Sequence, residues 1–233
     1  MRYVPVLALL LAASPAFAQK SESDRLQACI DKIDSNAEEA YQDGLTWLAT
    51  GNRPAARQCT AMALIALGQE AEGAARLEAL ANAPDGGSLD QRGIYLAQSG
   101  NAWLLAKMPD AAVVTLTNAL KLRPRDGELR KDRARAYIML QKWQDAGKDL
   151  DASIELSPGD AEAMRLRAYT LLKMERYQDA WTDVEAALKQ APKDVDAAVL
   201  RGDIREAMRK KGLPDPAGLY DEPRDQSPVV VGN

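Results

Sequence analysis

Between residues 127 and 160, apolar and small residues recur at helical spacing in two successive blocks. Arg130, Ala134 and Tyr137 lie at i, i+4 and i+7, which places them on one face of a helix. A second helical face is marked by Trp143, Ala146, Leu150 and Ile154. The turn at Ser157-Pro158-Gly159-Asp160 follows, with Asp160 placed to cap the next helix. The pattern therefore predicts a pair of helices that ends at residue 160.

This pattern recurs with a period of 34 residues. The series at that step are Pro124, Pro158 and Pro192; Ala112, Ala146 and Ala180; Gly100, Ala134, Ala168 and Gly202; Arg133, Arg167 and Arg201; and Trp143 and Tyr177. Each proline stands where one helix ends and the next begins. The small residues are expected to let the two helix backbones of a pair approach closely. One supersecondary unit is thus predicted to repeat along the chain.

A 34-residue helix–turn–helix unit with this order of small, aromatic, small and proline positions resembles the tetratricopeptide repeat (TPR) family. The resemblance implies an all-α fold, a right-handed α-solenoid of stacked antiparallel helix pairs. The predicted organisation is a signal peptide at 1–18, an atypical first hairpin at 19–53, a TPR-like repeat at 54–87, a linker at 88–92, repeats at 93–126, 127–160 and 161–194, a capping helix at 195–212 and a disordered tail at 213–233.

The N-terminus has the layout of a secretory signal. Arg2 supplies a positive charge, an apolar run of about ten residues follows, and Ala16 and Ala18 are small residues that a signal peptidase reads. We expect cleavage near Ala18/Gln19 and a periplasmic or secreted product, with an interfacial anchor as the alternative. The apolar run is too short to span a bilayer, which takes about twenty residues. No stable membrane insertion is therefore expected.

Composition narrows the functional classes. The formal net charge of −4 lacks the basic footprint of a nucleic-acid-binding protein. The chain has 0 His residues, which excludes acid, base, nucleophile or metal-ligand roles that need an imidazole. It also has no G-x-S-x-G motif and no phosphate-binding glycine-rich loop. We therefore expect no enzyme activity and no cofactor.

The chain contains 2 cysteines, and both lie in its N-terminal part. Cys29 is predicted on the first helix of unit one and Cys59 on the first helix of unit two. An exported protein favours a disulfide between them, and the alternative is two buried thiols. Because two Cys and no His do not supply four zinc ligands, no metal site is expected.

The repeated arginines are interpreted as structural. Similar repeats often pair such an arginine with an Asp of the preceding unit, and the resemblance implies the pairs Arg167–Asp149 and Arg201–Asp183. The alternative is that these arginines contact a ligand. Thr115 occupies the corresponding place for Arg133, so Arg133 is expected to be free.

A second stripe lies one residue further round the first helices. By the resemblance it lines the concave side of the superhelix, and the predicted partner-binding groove consists of Asn101, Lys131, Arg135, Ile138, Arg165, Tyr169 and Lys173. Basic side chains around an aromatic ring predict an acidic peptide or chain terminus as the ligand; a solvated polar face is the alternative. The family's carboxylate clamp for chaperone termini is not present, since only Asn101 matches it.

The sequence therefore predicts a non-catalytic scaffold or adaptor of the bacterial cell envelope, which binds an unidentified partner protein or peptide in its concave groove. One alternative is a periplasmic chaperone-like holder of envelope proteins, which the apolar residues Leu104, Ile138 and Leu172 favour. Another is a regulator that docks on an envelope enzyme.

Overall fold

The computed structural model describes residues 21–216, which form eleven helices and no strand. In chain order they are α1 (Glu22–Ser35), α2 (Ala37–Thr50), α3 (Pro54–Ala66), α4 (Glu70–Asn82), α5 (Leu89–Leu105), α6 (Pro109–Leu122), α7 (Gly127–Met139), α8 (Trp143–Leu156), α9 (Ala161–Lys173), α10 (Tyr177–Gln190) and α11 (Val195–Lys210). Consecutive helices pack on each other as five pairs followed by a single helix. The all-α solenoid prediction is confirmed, whereas the predicted signal peptide and residues 217–233 of the tail lie outside the described residues.

The repeat fixes where helices start and stop. Asp126, Asp160 and Asp194 stand 34 residues apart and cap α7, α9 and α11, each accepting a hydrogen bond from a backbone N–H in the first turn. Lys107 and Gln141 both have φ 56°, in the turn between the two helices of their pairs. The turn geometry therefore repeats together with the helices.

Small residues lie buried where the two helices of a pair pack together. Ala134 and Ala146 are fully buried in one core cluster, and Ala168 and Ala180 are fully buried in another. At Gly100 an added Cβ would lie 2.5 Å from the Leu116 side chain of α6. The prediction that small side chains bring the two helices together is confirmed.

The predicted linker at 88–92 is wrong, because Ser88 caps α5 and residues 89–92 form its first turn. Ser88 and Gln91 make a reciprocal capping box, which satisfies two backbone donors. Arg92 donates to the carbonyl oxygens of Ala81 (2.6 Å) and Ala83 (2.8 Å) at the C-terminal end of α4. A guanidinium that binds the last carbonyls of a helix also interacts favourably with the negative end of the helix dipole. Residues 88–92 thus hold the start of α5 against the end of α4.

A disulfide between Cys29 and Cys59 joins α1 to α3, as predicted. Both cysteines are buried in a small cluster with Trp47 and Ala56. This cluster is separate from the core clusters of the later repeats. The disulfide therefore adds a covalent link between α1 and α3 at the N-terminal end of the array.

The two end positions of the small-residue series provide a matched pair of substitutions. Gly100→Ala should destabilise the protein by about 1–3 kcal/mol, because Leu116 must shift to accept the methyl group. Gly202→Ala should stabilise it by about 0.5–1 kcal/mol, since no atom lies within 4 Å of the new Cβ and alanine favours a helix. Urea unfolding of both variants measures the difference. Equal effects at the two sites would contradict the close-approach argument.

Loss of the disulfide should expose the first hairpin. In the chain-entropy model a bridge across 30 residues stabilises by roughly 3–4 kcal/mol, so Cys59→Ser should lower the melting temperature clearly. Limited proteolysis of the variant should cut residues 21–53 first. Wild-type protein under reducing conditions is the control and should behave in the same way. Two reactive thiols in the non-reduced, denatured wild type would disprove the bridge.

Candidate partner-binding groove

The first helices of successive pairs form one continuous face, here called the A-helix face (α5, α7, α9 and α11). Each of these helices contacts the next first helix along the array. Asn101, Arg135 and Tyr169 occupy the same position on α5, α7 and α9, at a spacing of 34 residues. These three residues of the predicted groove therefore lie at equivalent positions on neighbouring helices.

A ladder of polar contacts crosses the A-helix face. Asn101 Nδ2 donates to Asp132 Oδ2 at 2.9 Å, which connects α5 to α7. Arg135 pairs with Asp132 on its own helix and with Glu162 of α9 at 2.6 Å. Arg165 lies 3.7 Å from Glu162 and 3.3 Å from Asp194 at the start of α11. Acidic and basic side chains alternate along this ladder, and each cation lies next to a carboxylate.

Asp132 is the buried member of the ladder, with 7% of its surface exposed. Burial raises the pKa of its carboxyl, and the hydrogen bond from Asn101 and the charge of Arg135 only partly offset that rise. Arg135 is half-buried: burial works to lower its pKa, but the hydrogen bond to Glu162 and the charges of Asp132, Glu162 and Glu128 together outweigh burial and raise the pKa. The side chains of the ladder therefore stabilise one another by pairing opposite charges.

Lys131 does not lie open to a ligand. Only 6% of the residue is exposed, and its Nζ lies 2.7 Å from Asp160 and 2.9 Å from Glu128. Burial works to lower the pKa of Lys131, but hydrogen bonds to Asp160 and Glu128 outweigh it and leave the pKa raised. The prediction of Lys131 as an accessible groove cation is wrong, because its ammonium is buried and pairs with Asp160, the N-cap of the next repeat.

Tyr169 and Lys173 form the aromatic part of the predicted groove. The Lys173 ammonium lies 5.1 Å from the centre of the Tyr169 ring, and Trp143 meets the same ring edge-on at 6.2 Å. Lys173 is exposed and Tyr169 is half-buried. Ile138 is partly buried and packs against the core cluster of its own repeat, so it contributes less open surface than predicted. Tyr169 is thus a fixed ring with an exposed cation over it.

The repeated arginines pair differently from the prediction. Arg133 donates to Asp149 with two nitrogens at 2.7 and 2.8 Å, and Arg167 does the same with Asp183 at 2.6 and 2.8 Å. The predicted pairs Arg167–Asp149 and Arg201–Asp183 are therefore wrong, and Arg133 is not free. The physical reason is geometric, because each Asp lies on the second helix of the same pair and faces the arginine directly.

Connections between neighbouring units come from the remaining arginine nitrogens. Arg167 Nη1 reaches Asp151 of the preceding unit at 2.8 Å, and Arg133 Nη1 reaches Thr117 at 3.0 Å. Arg201 lies 3.4 Å from Glu185 of the preceding unit. The interpretation of these arginines as structural ties between units holds, with different partners. The signal was present in the sequence as acidic or hydroxyl residues 16 positions before each arginine.

A cleft that no sequence pattern predicted lies between α1, α3 and α5. It is lined by Glu22, Ser23, Leu26, Arg53, Pro54, Ala55, Gln58, Gln91, Ile94 and Tyr95. Glu22 Oε1 pairs with Arg53 at 3.1 Å, while Glu22 Oε2 is buried without a hydrogen-bond partner. Its walls come from three helices far apart in sequence, so no local pattern predicted it.

Residues 21–216 contain no group of three or more His, Cys, Asp and Glu arranged to hold a metal ion. None of the helices in that range is long and apolar enough to cross a membrane.

Comparison with known proteins supports the fold. No protein-family model matches the chain, and no curated protein matches it significantly. Among solved structures, YrrB, described as a TPR protein with an unusual peptide-binding site, superposes with a TM-score of 0.60 at 16% identity, over 78% of this chain and 92% of that one. A TPR protein of Thermus thermophilus gives 0.57 at 20% identity, over 79% and 98%.

A third neighbour is a peptide complex. The first TPR domain of Spaghetti, bound to an HSP90 peptide, superposes with a TM-score of 0.50 at 23% identity, over 52% of this chain and 95% of that one. At these identities the likeness shows the TPR solenoid fold, with the helix pairs stacked as the 34-residue period predicts.

Asp160 provides a test of the Lys131 contact. Asp160→Asn keeps a capping side chain for α9 but removes the main partner of a buried ammonium, so the free energy of unfolding at pH 7 should fall by about 1–3 kcal/mol. Burial works to raise the Asp160 pKa, but the hydrogen bond and charge of Lys131, with the backbone N–H groups of Ala163 and Glu162, outweigh burial and lower the pKa from its ordinary value of 3.8. The contribution of the Lys131 contact is therefore fully present above that pH. The difference from wild type should therefore shrink as the pH falls below about 4.

Asp126→Asn is the matched control, because it caps α7 in the preceding repeat and its partner Arg123 is 35% exposed. Its effect on urea unfolding should stay below about 1 kcal/mol. Equal losses of unfolding free energy in the two variants would mean that the Lys131–Asp160 contact stabilises the protein no more than the exposed Arg123–Asp126 pair does.

Proposed function

We propose that this chain is a non-catalytic scaffold that holds a segment of a partner protein along its A-helix face. The observation that carries the proposal is the Tyr169–Lys173 pair, a ring fixed by Trp143 with an exposed cation over it. Aromatic side chains held in place in this way are typical of binding hot spots. The face continues over four stacked helices, which suits an extended segment better than a small molecule.

The structure changes the expected chemistry of the partner. Lys131, Arg135 and Arg165 each lie beside carboxylates, so the predicted groove is charge-balanced rather than basic. Among the predicted groove cations, Lys173 is the one for which the described residues supply no carboxylate within ion-pair distance, and it lies over the Tyr169 ring instead. The proposed ligand is therefore a segment with one acidic side chain or terminus beside an apolar or aromatic residue, not a run of acidic residues.

Peptide binding by neighbours of the same fold supports the proposal. The Spaghetti domain holds an HSP90 peptide, and YrrB is described with a peptide-binding site of its own. In a TPR solenoid the first helices line the concave side, so the A-helix face offers the corresponding surface. The partner of this chain is not implied by those complexes, because the clamp positions differ.

The cell envelope is the proposed location. The N-terminal sequence has the layout of an export signal. A disulfide also stabilises the first hairpin, and disulfides persist in oxidising compartments. A partner in the same compartment follows from this location.

A chaperone-like holder is the second candidate, favoured by exposed apolar side chains at the ends of the first helices. Leu105 is 62% exposed and Met139, 34 residues later, is 44% exposed, with Met108 at 45% close by in sequence. A binding surface of this kind would accept many unfolded segments rather than one.

Photo-crosslinking in living cells tests the scaffold proposal. A crosslinking residue at Lys173 should give one discrete adduct, because the partner segment lies over this position. The same residue at Gln144 and Gln178, which are exposed equivalents on the second helices α8 and α10, should give none. Tyr169→Ala should reduce the yield at position 173 about tenfold or more by removing the anchor.

The outcomes separate the two candidate functions. Many adducts at Met139 that are insensitive to Tyr169→Ala would support the chaperone-like holder. Equal adducts on the first and second helices would reject a binding role for the A-helix face altogether. Circular dichroism melting of Tyr169→Ala controls for unfolding.

A further inference from the structure

Gly202 holds the small-residue position of the repeat but lacks the helix that this position normally serves. In the earlier pairs Gly100, Ala134 and Ala168 each face the second helix of their own hairpin. No atom lies within 4 Å of a Cβ built on Gly202. The last helix therefore presents a surface that fits the close approach of another helix, and the described chain supplies none.

The same face of α11 is apolar in its N-terminal half. Val195 and Val199 are 72% and 59% exposed, and with Gly202 they lie at i, i+4 and i+7. Val195 is the most exposed large hydrophobic residue in the described part of the chain. The exposed apolar residues of α11 therefore lie in its first turns, and its basic residues lie in its last turn.

The residues that follow α11 pack elsewhere on the helix. The backbone N–H of Leu213 donates to the Met208 carbonyl at 3.0 Å, and Asp215 pairs with Arg205 at 3.4 Å. These contacts involve the C-terminal half of α11. Within residues 21–216, the surface at Val195, Val199 and Gly202 consequently stays uncovered.

The charges on α11 favour a second copy of the same helix. Its first turn carries Asp196 and its last turn carries Arg209 and Lys210. An antiparallel pair that crosses at Gly202 brings the acidic end of each helix to the basic end of the other, whereas a parallel pair opposes like charges. The two-fold arrangement also lets both glycines meet at the axis, where the backbones approach most closely.

We propose that two copies of this chain associate through antiparallel pairing of their α11 helices. A helix of 16 residues is roughly 24 Å long, so the buried surface is small and the dissociation constant should be on the order of 10–100 µM. A pair of this kind joins two A-helix faces in one particle. A partner with two binding segments would then be held more tightly than by one copy.

Sedimentation equilibrium of the full mature chain, with its disulfide intact, is the test. The wild type should show a monomer–dimer equilibrium in the micromolar range. Val199→Asp and Gly202→Leu should each lower the association constant by at least about tenfold, through a buried charge and a steric block respectively. Val114→Asp on α6 is the matched control, since Val114 is 62% exposed and should leave association unchanged.

A cysteine at the axis gives an independent readout. Gly202→Cys should form an intermolecular disulfide on oxidation, while a cysteine at Val114 should not. A wild type that stays monomeric to several hundred micromolar, or a Val199→Asp variant that dimerises like the wild type, would overturn the proposal. Dimerisation only after deletion of residues 217–233 would also overturn it, because the chain's own tail would then be the occupant of this face.

Discussion

The close approach of two helix backbones within each hairpin is the constraint on which the rest of the structure depends. At Gly100 the clearance is so small that a Cβ would meet Leu116, and Ala134 and Ala168 are completely buried at the same position. Because the hairpins are thin, the next first helix lies against both helices of the preceding pair. The face that carries the candidate groove is a direct consequence of this stacking.

The arginine series connects stacking to electrostatics. Arg133 and Arg167 each bind the second helix of their own pair and the second helix of the unit before, and each side chain therefore serves two interfaces. Arg167 shows the result, since hydrogen bonds to Asp183 and then to Asp151 raise its pKa against the effect of burial. A partly buried, doubly bonded guanidinium is costly to misplace, so Arg133 and Arg167 fix the register of neighbouring units more than they add net stability.

The sequence predicts the helices, their period and the close contacts well, because these depend on residue size and local spacing. It predicts charge partners poorly. Asp149 lies within reach of Arg133 and Arg167 in sequence terms, and only the side-chain directions select Arg133. The prediction that Lys131 lies open to a ligand is wrong for a related reason. Its position on the helix is as predicted, but its ammonium is buried against Asp160, the N-cap of the next repeat. Pairing across helices depends on rotation and reach, which periodicity does not encode.

The neutralised ladder also changes how a partner would be recognised. A basic groove would attract acidic proteins broadly and lose affinity steeply with salt. On the A-helix face the cations Arg135 and Arg165 are already bound to carboxylates, so a competing acidic ligand must displace Glu162 or Asp194 first. Selectivity would then depend on the shape of the groove and on the Tyr169–Lys173 pair, where the ligand has no carboxylate to displace. Under the proposed function, the charges of this groove would thus favour one well-fitted segment over many acidic ones.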